Sequence, residues 1–314
     1  MASYLVTGGA GFIGSHLVET LLQRGESVRV LDDFSTGKAD NLAPFSGRFE
    51  MLEGRIDDPS LAERAVRDID FVLHQAALGS VPRSVEDPAE SHAANLTGTL
   101  VLLDASRKAK IRRFVYASSS SVYGDTPELP KTESMVPAPL SPYAVTKLGG
   151  EYYCRVFHGI YGLQTVALRY FNVFGPRQRP DSQYAAVIPR FIAALKGGES
   201  PVLYGDGRQS RDFTYVENVV QANLAACSAP ARAAGEAFNI ACGECYSLLD
   251  LLRELQTLSG MSQPPRFEPS RKGDVRDSLA DIRKAEDFLA YGPRISFREG
   301  LARTLLASGL TGTA

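Results

Sequence analysis

The sequence predicts an α/β fold, a doubly wound parallel sheet followed by a second, smaller α/β domain. Three observations predict it. Short apolar runs alternate with longer amphipathic ones through the first half, and a glycine-rich turn directly follows the first run. After about residue 172 the rhythm changes, and glycine- and proline-rich connections become frequent. Alternating strands and helices favour a parallel sheet, because each crossover is long enough to carry a helix.

The elements follow in order. Segments 4–6, 28–31, 71–73, 113–116 and 165–168 read as buried strands. Segments 12–24, 88–109 and 142–161 have helical length and spacing. Beyond residue 172, Gly175-Pro176-Arg177, Gly197-Gly198, Gly205-Asp206-Gly207 and Pro264-Pro265 interrupt short elements. The expected boundaries are 1–172 for a nucleotide-binding domain and 173–314 for a substrate domain. Segments 213–215 and 238–240 are expected to return towards the first sheet, so that residues of about 212–240 belong to it.

With 314 residues the chain can bury a large core, and 44% hydrophobic and 22% charged residues form an ordinary globular composition. A net charge of −2 gives no bulk reason to bind nucleic acid or an acidic membrane. No apolar run approaches bilayer length. A strand-like start at Ser3–Thr7 leaves no room for a signal peptide, and the expected location is the cytoplasm. Four cysteines, at 154, 227, 242 and 245, are too few and uneven for a disulfide framework. Cys242-Gly243-Glu244-Cys245 lacks the second ligand pair of a zinc site and reads as a strand-to-helix turn; no metal is expected. Of the four histidines, His74 ends a strand and is expected to be a packed scaffold residue.

Thr7-Gly8-Gly9-Ala10-Gly11-Phe12-Ile13-Gly14 follows the first strand and opens a helix. Gly8 or Gly9 makes the tight turn, Gly11 admits a pyrophosphate, and Gly14 lets the helix pack closely. The helix N-terminus supplies N–H donors to that anion. Asp32 ends the next strand, where a carboxylate accepts the adenine ribose hydroxyls and repels a ribose phosphate, favouring NAD over NADP. The competing reading is a strand-end aspartate capping the turn over 33–37.

Tyr143 and Lys147 stand at i and i+4 of a predicted helix and share a face. A free phenol, with a pKa near ~10, is a poor base at neutral pH. A nearby ammonium and a cationic nicotinamide favour the phenolate and are expected to lower it. A serine from Ser118-Ser119-Ser120-Ser121 would hydrogen-bond the substrate oxygen.

Together with Gln75-Ala76-Ala77, Arg169-Tyr170-Phe171-Asn172, Arg211-Asp212-Phe213 and Arg271-Lys272-Gly273-Asp274, these motifs resemble an extended short-chain dehydrogenase/reductase. Within that superfamily they resemble NAD-dependent UDP-sugar 4-epimerases, over nearly the full length. The resemblance implies a Rossmann-type NAD domain with Ser119 as the catalytic serine, Ser118 and Ser120 as supporting hydroxyls, Tyr143 as acid/base, and Lys147 on the nicotinamide ribose. Further NAD contacts implied are Gly8, Gly11, Phe12, Ile13, Gly14, Asp32, Asp33, Ser35, Ile56, Ala76, Ala77, Asn95 and Tyr170. Related dehydratases and decarboxylases carry acids between the serine and the Val-Tyr-Gly turn. Here Ser120 and Ser121 stand there, which leaves a 4-keto sugar little to do but take its hydride back.

On the substrate side the resemblance makes Arg211 and Arg271 pyrophosphate clamps, suited by their planar donor forks; surface ion pairing is the alternative. Tyr204 would stack on uracil, unless it is a core tyrosine. Asn172 would bind near the phosphates and sugar, and Asp274 the UDP ribose. The loop Ala77-Leu78-Gly79-Ser80-Val81-Pro82-Arg83-Ser84 is similar to that of epimerases acting on N-acetylated UDP-hexosamines, which places Gly79 and Ser80 at the sugar. Tyr184-Ala185-Ala186-Val187-Ile188-Pro189 matches the same subgroup, with a strand-like backbone lining the uridine through Val187. Ser278, seven residues after Arg271, falls at the gate beside the sugar C2 substituent, where serine leaves room for an N-acetyl group.

One position departs from the family pattern. Gly54-Arg55-Ile56 replaces the usual Gly-Asp-Ile/Leu, whose aspartate touches the adenine amino group. Arginine cannot accept that hydrogen bond, and Asp57 could substitute only if the loop shifts. The expected activity is interconversion of UDP-N-acetylglucosamine and UDP-N-acetylgalactosamine, with UDP-glucose and UDP-galactose next, by a homodimer. The competing readings are a UDP-uronic acid 4-epimerase using Arg83, and a non-catalytic NAD-binding protein.

Overall fold

A computed structural model describes residues 1–180, 186–269 and 276–310. Six strands follow the chain: β1 (Ser3–Thr7), β2 (Ser27–Asp32), β3 (Glu50–Glu53), β4 (Phe71–His74), β5 (Arg113–Ser119) and β6 (Thr165–Tyr170). With Glu236–Ile240 they form one seven-stranded parallel sheet, in the order 236–240, β6, β5, β4, β1, β2, β3. Val6 lies opposite Val30 on one side and Leu73 on the other. β1 is thus the strand from which the order runs both ways, and the crevice over its C-terminal end is where such sheets bind ligands.

Leu5, Val6, Val72, Leu73, Phe114 and Val115 are fully buried because helices cover both faces of the sheet. That double burial is why the strands read as continuous apolar runs rather than alternating ones. Leu17, Val18 and Leu21 of the Phe12–Gln23 helix, with Val219 and Val220 of the Val216–Ser228 helix, cover one face. Leu61, Leu102, Leu103, Cys154 and Phe157, from helices Pro59–Ala65, Gly98–Lys108 and Pro142–Tyr161, cover the other. Each fully buried leucine contributes about 1.5–3 kcal/mol relative to an exposed one. A third cluster, holding Phe174, Phe191, Leu203, Phe213, Leu251 and Phe297, forms beside the crevice, and Phe12 and Ile13 pack on it.

Several elements differ from expectation. Segment 88–109 is not one α-helix but Pro88–His92, a π-helical turn at Ala93–Thr97, and Gly98–Lys108. The widened turn carries Asn95, whose side chain bonds to a loop and to another helix. Segment 213–215 does not reach the main sheet: Thr214–Tyr215 pairs with Val173–Phe174 in a separate ladder. Val187–Lys196 is a helix, not strand-like; Pro189 is tolerated because first-turn amides lack intrahelical partners anyway. Ala285 and Leu289 of the Arg283–Leu289 helix also pack on the first sheet, so the chain returns there after residue 240. β3, Glu-Met-Leu-Glu, is an edge strand whose charged ends conceal it from a search for apolar runs. Among the described residues no helix is long and apolar enough to cross a membrane.

Candidate active site

The chain leaves β1 through Gly8, at φ +66°, whose amide donates to the Leu31 carbonyl at 2.8 Å. A side chain at Gly8 would meet the Ala76 backbone at 2.8 Å, and one at Gly14 would overlap the Gly8 carbonyl. The turn therefore requires Gly8, and Gly14 lets the helix start directly on it. Gly11 is the N-cap, and no side chain caps that helix. Its first amides keep donors for an anion, which fits a dinucleotide pyrophosphate. Phe12 and Ile13 turn their side chains into the third apolar cluster, so their backbone is what they offer a cofactor.

Asp32 combines its two expected roles. Its carboxylate accepts from Ala10 N and Phe34 N, both at 2.8 Å, and caps two loops. Those bonds leave lone pairs for ribose hydroxyls. Burial nevertheless raises its carboxyl above the ordinary range, against the pull of the two amides. Asp33 accepts from Ser35 N at 2.9 Å and from the Ser35 hydroxyl, which fixes the turn beyond.

At the end of β4 a relay of hydrogen bonds holds the loop that follows. Ala76 N donates to Thr7 Oγ1 at 3.2 Å, and Thr7 Oγ1 lies 2.7 Å from His74 Nδ1. His74 Nε2 lies 2.9 Å from Thr99 Oγ1, which donates to the Asn95 carbonyl. The Thr99 proton being committed, Nε2 carries the ring proton and Nδ1 accepts from Thr7. Burial and the nearby Lys147 push His74 down to about 3, so it is neutral scaffold, as its place in the sequence suggested.

Asn95, expected at the cofactor, has its side chain hydrogen-bonded within the protein. Its Oδ1 accepts from Leu78 N at 2.7 Å, and its Nδ2 donates to Leu78 O and to Thr146 Oγ1. It ties the 77–84 loop to the catalytic helix. Tyr170, also expected there, is buried with its hydroxyl bonded to Gln75 and Asn223. Ser80 accepts from Arg83 N and caps the short helix Val81–Glu86 beside exposed Gly79, retaining its own proton to donate.

The candidate catalytic residues come from two long elements. Ser119 closes β5, and Tyr143 opens the Pro142–Tyr161 helix, which Ser141 caps through Ala144 N. The helix is seated by a residue the motifs did not reveal: buried Ser84 accepts from Tyr143 N at 3.0 Å. The Ser119 hydroxyl stands near enough to the Tyr143 phenol to favour its ionised form, and it accepts from Ser121 N and Ser121 Oγ, the latter at 2.9 Å. Lys147 Nζ lies 5.9 Å from the Tyr143 ring centre and donates to Ala117 O at 2.7 Å. Burial pushes the phenol up, more than Ser119 draws it down, and pushes Lys147 down to about 7. The expected lowering of Tyr143 is therefore not a property of the protein alone, because desolvation outweighs the pull of Ser119.

The hydroxyl of Ser118, expected to support this site, is engaged within the protein. Strand alternation turns it to the opposite face, where it donates to buried Glu151. Glu151 accepts both Nε and Nη2 of Arg169, at 2.9 and 2.7 Å, and Arg169 in turn donates to the Tyr123 hydroxyl at 2.8 Å. The spacing 143, 147, 151 places Glu151 on the catalytic face of the helix, a signal the sequence did carry. Bonded to Arg169 and Ser118, it is not free to act as a base beside Ser119.

On the other wall Asn172, at φ +36°, donates to Asp212 O at 3.0 Å and to Ser278 Oγ at 3.4 Å. Ser278 sits opposite Arg211 in a parallel ladder of two residues per strand. The fold thus brings Asn172, Arg211 and Ser278 together, although they are 106 positions apart along the chain at the extremes. Arg211 donates to the Ser210 and Arg276 carbonyls. Arg190 lies 5.3 Å from the centre of the Tyr204 ring, so Tyr204 is a half-buried stacking surface with a cation on it rather than a core tyrosine. Val187 opens the helix beside it, half-buried. Arg271, Asp274, Tyr184 and Ala185 lie outside the described residues. Gly243, at φ +71°, and Cys242 donate their amides to Asp212, and no His/Cys/Asp/Glu group among the described residues could hold a metal.

The family model for the NAD dependent epimerase/dehydratase family matches residues 4–241. A UDP-glucose 4-epimerase of Mycolicibacterium smegmatis is 39% identical, over 96% of each chain. The structure of a UDP-glucose 4-epimerase with UDP-glucose from Thermotoga maritima superposes with a TM-score of 0.93 at 38% identity, covering 98% of both chains. That of a UDP-N-acetylglucosamine 4-epimerase from Methanobrevibacter ruminantium, in complex with UDP-N-acetylmuramic acid, gives 0.93 at 39% identity, covering 98% of this chain and 97% of the other. With the glycine turn, the strand-end aspartate and the serine–tyrosine–lysine set in one crevice, the chain belongs to the NAD dependent epimerase/dehydratase family.

Proposed function

We propose that this NAD-dependent UDP-sugar 4-epimerase, an isomerase, interconverts UDP-N-acetylglucosamine and UDP-N-acetylgalactosamine, and also turns over UDP-glucose and UDP-galactose. The observation that carries the reading is the meeting of Ser119, Tyr143 and Lys147 with no free carboxylate among their partners. The family relatives named above act on UDP-glucose or UDP-N-acetylglucosamine. Bound NAD supplies a hydride acceptor for C4 and then a donor to the opposite face of the ketone. Tyr143 takes the C4 hydroxyl proton and gives it back, Ser119 holds the same oxygen, and Lys147 supplies the positive charge that makes a phenolate affordable. With Glu151 locked to Arg169, that carboxylate is not available to the 4-keto sugar as a second base for elimination. Rotation of the ketone within the crevice then inverts C4 with no net redox change.

The acetylated preference rests on Ser278, a small side chain beside Asn172 and Arg211. An open pocket discriminates only modestly, by about 1–3 kcal/mol, so the unacetylated pair is expected to react too. The test is purified protein with each UDP sugar and no added NAD, following C4 configuration by proton NMR. Conversion of UDP-N-acetylglucosamine supports the reading, and conversion of unacetylated sugars alone sinks the acetylated part of it. A second substrate reading draws on Arg83, next to the Ser84 that seats the catalytic helix. A UDP-uronic acid belongs in the same panel.

A homodimer is part of the proposal. The Pro142–Tyr161 helix exposes Val145, Tyr152, Val156 and Ile160 on the side away from the site. Leu100, Val101 and Phe157 line a groove beside Val156. A second copy presenting the same helix would cover this apolar face. Sedimentation of the protein and of Ile160→Glu checks it: the variant should be monomeric.

A further inference from the structure

The end of the sheet opposite the crevice carries a cavity of its own. Tyr4, Phe71 and Arg113 stand at or next to the first residues of β1, β4 and β5, and together they line a space of about 540 Å³. Ser119 closes the same β5, about 20 Å away at a rise of ~3.3 Å per residue. Two polar side chains on the cavity wall are more than nine-tenths buried and lack the partner their chemistry asks for. Arg113, 6% exposed, donates to the Ala226 and Ala229 carbonyls at 2.9 and 2.7 Å and to Gln164 Oε1 at 3.5 Å, all neutral acceptors. At most three of its five N–H groups are used in this way. The two carbonyls close the Val216–Ser228 helix, whose end supplies about half a negative charge against a full positive one. Burial pushes the nearby Cys227 thiol up to about 12, so it stays neutral. Tyr4, 9% exposed, stacks on Phe71 at 5.0 Å, and its hydroxyl has no hydrogen-bond partner among the described residues.

We propose that this cavity is a second binding site, which takes a phosphate group, free or carried on a small molecule, between Arg113, Arg24 and the Tyr4 hydroxyl. A buried cation without a counterion draws an anion out of water. Arg24 lines the same space and makes one long side-chain bond, to Gln221 at 3.4 Å. Arg112 adds a third cation, 5.0 Å from the centre of the Phe71 ring and 3.6 Å from Asp70. Glu26 is the one acid on the wall, and it accepts from Ala2 N at 2.6 Å. Three cations against Glu26 and Asp70 leave the cavity positive. Two guanidinium forks and a phenol offer donors from several sides, which suits an oxyanion with more than two acceptor oxygens. The volume exceeds what a phosphate ion fills and leaves room for a group attached to it. None of this depends on which sugar the crevice takes.

The test uses the full chain with NAD and UDP at saturating concentration, so that phosphate positions in the crevice are filled. Inorganic phosphate, glycerol 3-phosphate and acetate are then titrated calorimetrically at constant ionic strength. Saturable binding of inorganic phosphate or of glycerol 3-phosphate, one per chain, is expected, and the tighter of the two tells a free ion from an ester. Arg113→Met should weaken that binding at least about tenfold, and Tyr4→Phe about threefold. Tyr4→Phe removes a hydroxyl that bonds to nothing in the protein, so it reports on the site even if Arg113→Met fails to fold. Absence of saturable phosphate or ester binding overturns the inference. So does a Kd that Tyr4→Phe leaves unchanged, or acetate binding as tightly as either phosphate.

Discussion

Tyr143, Lys147 and Glu151 ride on one helix of 20 residues, and Ser119 ends a buried strand of seven. Arg211 and Ser278, across the crevice, sit on strands of two residues each, and Asn172 occupies a left-handed backbone position between elements. The first wall is held by hydrogen bonds from several directions: Ser84 and Ser141 on the helix start, Asn95 on Thr146, Arg169 on Glu151. The second wall relies on short ladders and turns. On the proposed function, chemistry that needs a fixed proton path would stand on the long elements, and choice of substrate on irregular backbone that can vary without moving the reaction.

That contrast can be broken at its strongest point first. Replacing Tyr143 by Phe should lower kcat by about 10³-fold, a size usual for a lost acid–base group, while NAD binding by calorimetry stays intact. Near-normal turnover would remove Tyr143 from the mechanism. Glu151→Gln should leave Arg169 buried against a neutral partner and cost about 3–5 kcal/mol in urea unfolding. A loss below about 1 kcal/mol would mean that the first wall is not held as rigidly as its hydrogen bonds imply. On the second wall, Ser278→Tyr should reduce kcat/KM for acetylated sugars by about 10–200-fold while sparing unacetylated ones. Equal losses on both would show that Ser278 supports the wall rather than gating it.

The smallest effect concerns the relay beneath the first wall. His74 titrates at about 3 when folded, against about 6.5 in an unfolded chain. Between these values the unfolded state holds a proton the folded state lacks, so stability is fully present above about 6.5 and is lost as pH falls through this window. His74→Gln should remove up to ~1.4 kcal/mol per pH unit from that slope. Parallel stability–pH curves for the two proteins would place His74 in water.

The two walls were also unequally legible. Gly8, Gly14, Asp32, Tyr143 and Lys147 could be read because strand-end turns and one-turn helical spacing are local properties. The resemblance singled out Ser119 and made Ser118 a supporting hydroxyl; it did not show that Ser118 is bonded to Glu151, an acid 33 positions away. Asn95 and Tyr170 were implied as NAD contacts by the resemblance, and their side chains bond to the protein itself, through partners as distant as Thr146 and Asn223. Val187 was expected on an extended segment, and the helix that holds it begins with a proline-tolerant first turn.

By itself the sequence determined the alternating architecture, the glycine turn and the candidate serine, tyrosine and lysine, because each depends on neighbours within a few positions. Only the tertiary structure decided that Ser118 turns to Glu151, that burial rather than charge dominates Tyr143 and Lys147, and that Ser278 meets Asn172 and Arg211. Those outcomes depend on desolvation and on contacts between distant segments, and neither is written in local pattern.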